Sequence, residues 1–157
     1  MKQREQSRRI ALQALFQLDF RGEEFGPETI EFLRASTRDP EVYFFARRLV
    51  EGTWAWRAQA DRLMQQAVEH WDVDRMATLD RNVLRMAAWE IACCDDIPDR
   101  VALDQAIELA KRFGSAESGA FVNGVLDHVL RIVESERAGG PSSEPPAPAG
   151  PTDVARE

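Results

Sequence analysis

The sequence of 157 residues has few of the residues that build disulfide frameworks, metal sites or membrane spans. Its two cysteines, Cys93 and Cys94, are neighbours and cannot connect distant segments of the chain. Because no CxxC or Cys/His spacing of the zinc-binding kind is present, we expect reduced thiols and no bound metal. No apolar run approaches the roughly 20 residues that a membrane-spanning helix needs. The charged N-terminus also lacks the apolar core of a signal peptide, so we expect a cytoplasmic protein without membrane contact.

Catalytic patterns are missing as well. The sequence has no GxxxxGK[ST] phosphate loop and no strand–GxGxxG–helix unit for a dinucleotide. The two histidines, His70 and His128, have no cysteine, serine or paired carboxylate arranged around them in the sequence. We therefore predict a binding protein with no catalytic residue and no cofactor, rather than an enzyme.

Charge is unevenly distributed along the chain. The net charge of −7 argues against a general nucleic-acid-binding protein. The first nine residues are nevertheless basic, because Lys2, Arg4, Arg8 and Arg9 stand against Glu5 alone. One interpretation is a site for an anionic partner, and the other is a solvated, frayed helix end. As a binding site, this basic end predicts weak, salt-sensitive contact with phosphates that needs a second protein.

Apolar residues recur at helical spacing through the first 137 residues, and no stretch alternates convincingly with period two. The pattern predicts an all-α protein, with a single compact bundle of about seven helices. In the helix over residues 101–113, for example, Ala102, Ala106, Leu109 and Phe113 share the predicted inward face. The other predicted helices cover residues 3–20, 28–34, 40–70 and 77–94, and a last one that contains residues 121–132.

Small residues indicate where helices bend, begin and end. Gly52 is expected to bend the long helix over residues 40–70. Gly114 directly follows a predicted helix, where a residue that tolerates positive φ is favoured. Ser115 and Ser118 are both candidate N-caps of the last helix. Gly124 lies inside that helix, where glycine costs about 1 kcal/mol relative to alanine, so we expect a compensating close contact with a backbone or a ligand.

The composition changes abruptly after Arg137. The following residues are rich in proline, glycine, serine and alanine, and lack the large apolar side chains that would stabilise an ordered structure. We predict a folded domain over residues 1–137 and a disordered tail over residues 138–157.

Three segments of the chain share a resemblance to one family. The longest, residues 101–127, contains the strings ELAKRFG (108–114) and FVNGVLD (121–127). The second is SRRIALQALF (7–16), and the third is LDRNVLRMAAWEI (79–91). Together they closely resemble the NusB family of bacterial transcription antitermination factors, and the likeness extends over most of residues 1–131.

The resemblance implies a fold, a function and partners. NusB family members are all-helical and bind the boxA element of nascent, single-stranded RNA. They do so together with NusE, a small-subunit ribosomal protein. The pair helps RNA polymerase in the transcription elongation complex to resist termination, notably on ribosomal RNA operons.

The resemblance also implies site residues. Those expected to contact RNA are in the basic end and the joint before the last helix: Lys2, Arg4, Arg8, Arg9, Gln13, Glu117, Ser118 and Phe121. Those expected to contact NusE are Phe16, Asp80, Arg81 and Glu90. A base could stack on the ring of Phe16 or Phe121 if either is exposed, while the alternative for Phe121 is core packing. Ala120 stands where the family often has a basic residue, which lowers the positive potential beside the expected RNA.

Two further hypotheses remain from the sequence. One is a protein-only helical adaptor for NusE whose RNA binding is weakened. The other is an accessory module, because a NusB-like domain also precedes the catalytic domain of some ribosomal RNA cytosine methyltransferases. Because the low-complexity tail follows the helical part, we expect no such catalytic domain in this chain. A homodimer that hides the basic end also stays open.

Overall fold

The computed structural model describes residues 2–69 and 72–139. Its described residues form seven α-helices, joined in part by short 3-10 helices at Gly22–Phe25 and Val73–Arg75. The helices are α1 (Lys2–Arg21), α2 (Gly26–Ser36), α3 (Pro40–Ala55), α4 (Arg57–Ala67), α5 (Thr78–Cys93), α6 (Asp99–Phe113) and α7 (Ser118–Gly139). This confirms the predicted all-α fold. His70 and residues 140–157 of the predicted tail lie outside the described residues, whereas Ala138 and Gly139 belong to α7.

The single long helix predicted over residues 40–70 is two helices. The chain leaves the helical conformation at Trp56, where φ is −100° and ψ is 8°. Gly52 therefore does not mark the bend. Its role is steric, because a Cβ at Gly52 would overlap the indole ring of Trp89 on α5. The glycine lets α3 and α5 approach closely.

The core is built around α5, which packs against α1, α3, α4, α6 and α7. Most of its residues between Asn82 and Ile91 are buried. α1 lies mainly against α3 and α5, and its side chains of Ala11, Ala14 and Leu15 are fully buried. The position of α1 on α5 therefore decides which of its residues reach the surface.

An ion pair in this core joins α1 to α5. The Nη2 atom of Arg8 donates to Oε1 of Glu90 over 2.7 Å, and its Nε atom lies 3.2 Å from both carboxylate oxygens. Only 2% of either side chain is exposed. The ring of Phe45 lies 5.4 Å from the guanidinium carbon and covers it. Each charge is tolerated in the interior because the other compensates it.

A second polar cluster ties α5 to its neighbours. The Oδ2 atom of Asp19 on α1 accepts hydrogen bonds from Arg81 over 2.8 Å and from Asn82 over 3.0 Å. One turn later, Arg85 donates two hydrogen bonds to Asp61 of α4, over 2.9 and 2.8 Å. The first half of α5 is therefore held to α1 and to α4 by directional bonds.

The two glycines near the last helix differ from the predictions. Gly114 has a φ of −98°, so it does not use the left-handed region. A Cβ there would instead lie 2.5 Å from Oγ of Ser118 and 2.8 Å from the carbonyl oxygen of Ala110. Gly124 is exposed, and a Cβ at this position would meet nothing within 4 Å. Among the described residues, no neighbouring backbone makes the close contact predicted for Gly124, and the predicted alternative of a ligand contact stays a prediction.

We expect Arg8→Met to lower the free energy of unfolding by about 3–5 kcal/mol, because it leaves the Glu90 carboxylate buried without its partner. Urea denaturation followed by circular dichroism measures this loss. The double variant Arg8→Met/Glu90→Leu should recover most of the stability. Arg9→Met, at the half-exposed neighbouring position, is the control and should change stability by no more than about 0.5 kcal/mol. Equal stability of Arg8→Met and the wild type would contradict the prediction.

The glycine geometry predicts opposite effects of one substitution at two positions. Gly124→Ala should raise the free energy of unfolding by about 1 kcal/mol, because alanine favours the helix and the added methyl has free space. Gly114→Ala should lower it by about 1–3 kcal/mol through the clash with Ser118. Thermal unfolding of the two variants side by side tests this, and a shift in the same direction for both would refute it.

Candidate nucleic-acid and protein interface

One face of α1 carries several of the predicted site residues. An α-helix turns by about 100° per residue, so residues 2, 9, 13, 16 and 20 project from nearly one line along it. We call this the α1 stripe: Lys2, Arg9, Gln13, Phe16 and Phe20. All are exposed except Arg9, which is half-buried. The stripe is basic near the start of α1 and aromatic near its end.

Arg4 lies on another flank of the helix. It is turned by about 140° from Arg9 around the axis of α1. Its guanidinium carbon stacks over the ring of Phe45 on α3, 3.9 Å from the ring centroid. Nearby, Arg48 donates hydrogen bonds of 2.6 and 2.9 Å to Asp96 and lowers the pKa of Asp96 to about 2. The predicted basic end is therefore divided between two surfaces.

Two of the predicted site residues are not on the surface at all. Arg8 was expected to contact RNA and Glu90 to contact NusE, but they bind each other in the core, with 2% and 1% of their surfaces exposed. Both predictions are wrong. Helical spacing could have revealed this, since Arg8 falls on the line of Ala11 and Leu15, and Glu90 on that of Ala87.

A groove lies beside the aromatic half of the α1 stripe. Its volume is about 550 Å³, and we call it the aromatic groove. It is lined by Arg9, Leu12, Gln13, Phe16, Gln17, Phe32, Leu79 and Phe113. Phe16 is 40% exposed and Phe113 is 45% exposed. Such an exposed apolar surface is typical of a protein-binding site.

Phe113 and Arg112, at the end of α6, were not among the predicted site residues. The spacing of α6 placed Phe113 on the inward face, yet nearly half of it is exposed. Arg112 shares a smaller pocket with Arg9, between α6 and α1. Glu5 and Glu108 line the same pocket and offset part of this positive charge. Arg112 and Phe113 of the string KRFG thus place a cation and an aromatic ring beside α1.

The joint between α6 and α7 is fixed by Ser118. The Ser118 hydroxyl donates to Oδ1 of Asp80 over 2.8 Å, and its oxygen accepts from the backbone N–H of Ser115 over 3.0 Å. Only 2% of Ser118 is exposed. Its donor is used within the protein, so the hydroxyl of Ser118 has no hydrogen left to donate to RNA. Glu117 and Phe121 are exposed, Phe121 by 38%.

Arg81 is also committed to contacts within the chain. Its guanidinium donates to Asp19 and, over 2.8 Å, to the carbonyl oxygen of Val73, and 13% of its side chain is exposed. Its charge is therefore offset by Asp19, which leaves little of the cation for a partner protein. Asp80, predicted for the same partner, is half-buried and receives the hydrogen bond of Ser118.

Three of the remaining predicted residues lie around a second groove. This groove, of about 380 Å³, lies between the joint and the connector before α5. It is lined in part by Asp80, Glu117 and Phe121. Leu79 lines the aromatic groove and its neighbour Asp80 lines the second groove, so the start of α5 contributes to both. Arg4 and Arg8 line neither groove.

The described residues contain neither a metal-binding cluster nor a membrane-spanning helix. Across residues 2–69 and 72–139, no group of three or more histidine, cysteine or acidic side chains is arranged to hold a metal ion. Within the same ranges, no helix combines the length and apolar content that crossing a membrane requires.

Known proteins with similar sequences and folds share one family. The NusB family model matches residues 5–131. Transcription antitermination protein NusB of Symbiobacterium thermophilum is 45% identical over 139 residues, which cover 82% of this chain and 89% of that protein. The protein of the same name from Sorangium cellulosum is 43% identical over 129 residues, covering 82% and 92%.

Solved structures agree with the sequence comparison. NusB of T. maritima superimposes with a TM-score of 0.72 at 37% identity, covering 82% of this chain and 90% of that one. The fold is also that of a NusB chain crystallised with NusE and double-stranded RNA, with a TM-score of 0.75 at 24% identity over 84% and 98% of the chains. The sequence match over residues 5–131 and these relatives establish that the chain belongs to the NusB family.

Proposed function

We propose that this protein is a transcription antitermination factor that binds boxA RNA together with NusE and acts in the elongation complex. The observation that carries the proposal is the α1 stripe, which presents cations and exposed aromatic rings on one helix face. The basic part suits a phosphate backbone, and the aromatic groove suits a protein. The binding of RNA and NusE by a structurally similar NusB chain supports both assignments.

The RNA side of this surface contains few cations. Lys2, Arg9 and Arg112 are available at the start of α1 and the end of α6, whereas Arg8 is buried. Each neutralised phosphate contributes to affinity by releasing counterions. Because only a few phosphates can be neutralised here, RNA binding is weak and decreases as the salt concentration rises. The rings of Phe113 and Phe121 add platforms on which unpaired bases can stack. NusE, which in this proposal binds both the protein and the RNA, strengthens the complex.

The protein side is the aromatic groove. Its volume can hold one or two large apolar side chains of NusE, and Phe16 and Phe113 are rings that such an anchor would cover. Interfaces concentrate their binding free energy in central, well-packed residues of this kind. Because the groove and the cations meet at Arg9, NusE and RNA would bind side by side.

The protein-only adaptor is the second candidate. It is favoured by the burial of Arg8 and by the position of Arg4, which together leave less positive surface than the sequence indicates. An adaptor would bind NusE without any gain in boxA affinity. Titration of labelled boxA RNA with the protein, with NusE and with both separates the two functions. If the RNA bound no more tightly to the mixture than to NusE alone, the antitermination proposal would fail.

For the RNA side, we expect Arg9→Ala to weaken boxA binding in the presence of NusE. It should also make the slope of log affinity against log salt concentration shallower by about 0.7, the value for one phosphate of a single strand. Arg4→Ala is the matched control, because Arg4 belongs to the same helix end but lies on another flank. Fluorescence anisotropy at four salt concentrations measures both slopes. A larger effect of Arg4→Ala would count against the α1 stripe.

For the protein side, we expect Phe16→Ala to weaken NusE binding by at least about 2 kcal/mol, as for a central interface residue. Phe44→Ala is the control, because Phe44 is a 64% exposed phenylalanine of α3 that does not line the groove. Isothermal titration calorimetry gives both affinities, and circular dichroism checks the folding of the variants. Equal losses in the two variants would place the NusE site elsewhere.

A further inference from the structure

Ser118 connects three segments of the chain through one hydroxyl group. It begins α7, its oxygen accepts from the backbone of Ser115 after the end of α6, and its hydrogen bond to Asp80 reaches the first turn of α5. The Oγ atom of Ser115 lies a further 3.2 Å from the same oxygen. A serine hydroxyl has a single donor, and here Asp80 receives it. Ser118 is therefore positioned among the expected RNA contacts without being able to donate to RNA itself.

The surroundings of this hydroxyl are closely fitted. Gly114 leaves the space that the Ser118 side chain occupies, since a Cβ at residue 114 would lie 2.5 Å from Oγ and 2.7 Å from Cβ of Ser118. Lys111 packs similarly against Gly119, where a Cβ would lie 2.8 Å from its Cγ atom. Glycines on both sides of Ser118 thus bring the end of α6 close to the start of α7. The joint keeps this compact form through its bond to α5.

The same turn of α5 is bonded to α1. Arg81 and Asn82, which follow Asp80, both donate to Asp19 near the end of α1. Contacts therefore run without interruption from the helix that carries the α1 stripe, through the start of α5, to the joint. The distance between the stripe and Phe121 is set by these bonds.

We propose that Ser118 is a positioning residue, whose hydrogen bond to Asp80 holds the α6–α7 joint in the arrangement that binds RNA. This inference rests on the proposed function. It makes the RNA affinity depend on a hydroxyl group that the RNA does not touch. Glu117 and Phe121, on either side of Ser118 in the sequence, are the exposed groups whose placement it controls.

The direction in which Asp80→Ala changes the RNA affinity distinguishes this positioning role from a purely electrostatic one. The carboxylate of Asp80 lies in the groove beside the joint, where negative charge opposes phosphate binding. If Asp80 acted through its charge alone, Asp80→Ala would tighten RNA binding. If it acts through Ser118, Asp80→Ala loosens the joint and weakens binding. Asp80→Asn removes the charge but keeps an oxygen that can accept from Ser118, so it should bind RNA more tightly than Asp80→Ala.

The test is a double-mutant cycle on binding of a boxA RNA oligonucleotide to the full chain at low salt without NusE, so that contacts of Asp80 with NusE play no part. We expect Ser118→Ala and Asp80→Ala each to weaken binding about fivefold, the size of one net hydrogen bond. The double variant should bind the RNA no more weakly than either single variant, because each substitution removes the same hydrogen bond. Hydrogen exchange should quicken at the amides of residues 115–121 in both single variants and stay unchanged in α1.

Thr29→Ala is the matched control, because it removes a buried hydroxyl that donates over 3.0 Å to the carbonyl oxygen of Phe25, away from both grooves. It should leave RNA affinity unchanged. Wild-type affinity in Ser118→Ala, tighter binding by Asp80→Ala, or unchanged exchange at the joint would each overturn the positioning role. If the wild type binds the RNA only in the presence of NusE, Ser118→Ala is compared with it at saturating NusE, and an unchanged RNA affinity there overturns the positioning role. Absence of RNA binding by the wild type in both conditions would instead overturn the proposed function.

Discussion

The rotation of α1 about its own axis depends on one buried ion pair. Arg8 can meet Glu90 only when a single face of α1 points at α5, because a charge-assisted hydrogen bond is directional while apolar contacts are not. With Arg8 fixed inward, its neighbour Arg9 necessarily turns outward by about 100°. The same rotation sends Arg4 toward Phe45. Which cations reach the proposed binding surface is thus decided by a pair that is buried in the core.

This constraint explains how an acidic protein can present a basic line on one helix face. The net charge of −7 works against phosphate binding as a whole, and two of the four cations in the first nine residues are buried or turned aside. What remains is a narrow line of positive charge that runs directly into exposed aromatic rings. A surface of this kind distinguishes its ligand by shape and by a second protein rather than by strong attraction to any polyanion. The proposed weak binding of RNA by the protein alone, and its tighter binding with NusE, both agree with this geometry.

The sequence predicted most of the helices because each carries an apolar line at helical spacing, and α1, α5 and α6 begin and end near the predicted residues. The prediction from the sequence was wrong where the exposure or role of a residue depends on a neighbouring helix. Periodicity placed Phe113 on the inward face of α6, but 45% of its surface is exposed in the aromatic groove. Arg8 was assigned to the surface by its charge, since its partner Glu90 lies 82 positions away in the sequence. Gly114 was explained by backbone conformation, whereas the fold uses its lack of a side chain.

The site residues were predictable to a similar degree and for the same reason. Family resemblance placed Lys2 and Phe16 where the structure exposes them and Arg9 where it is half-buried. It could not tell a residue that contacts a partner from a residue that positions such a contact. Ser118 is the clearest case, because its chemistry suits RNA while its burial assigns its donor to Asp80. Distinguishing the two needs coordinates, since a hydrogen bond across 38 positions leaves no local pattern.

The burial of Arg8 also links the stability of the fold to the surface proposed to bind RNA. A deletion of residues 2–9 would remove Lys2 and Arg9 from the α1 stripe and, in the same step, leave Glu90 as an uncompensated charge in the core. Such a shortened protein would unfold more readily and be cleared by proteases. A copy that kept the aromatic groove but lacked the cations of α1 would therefore not accumulate.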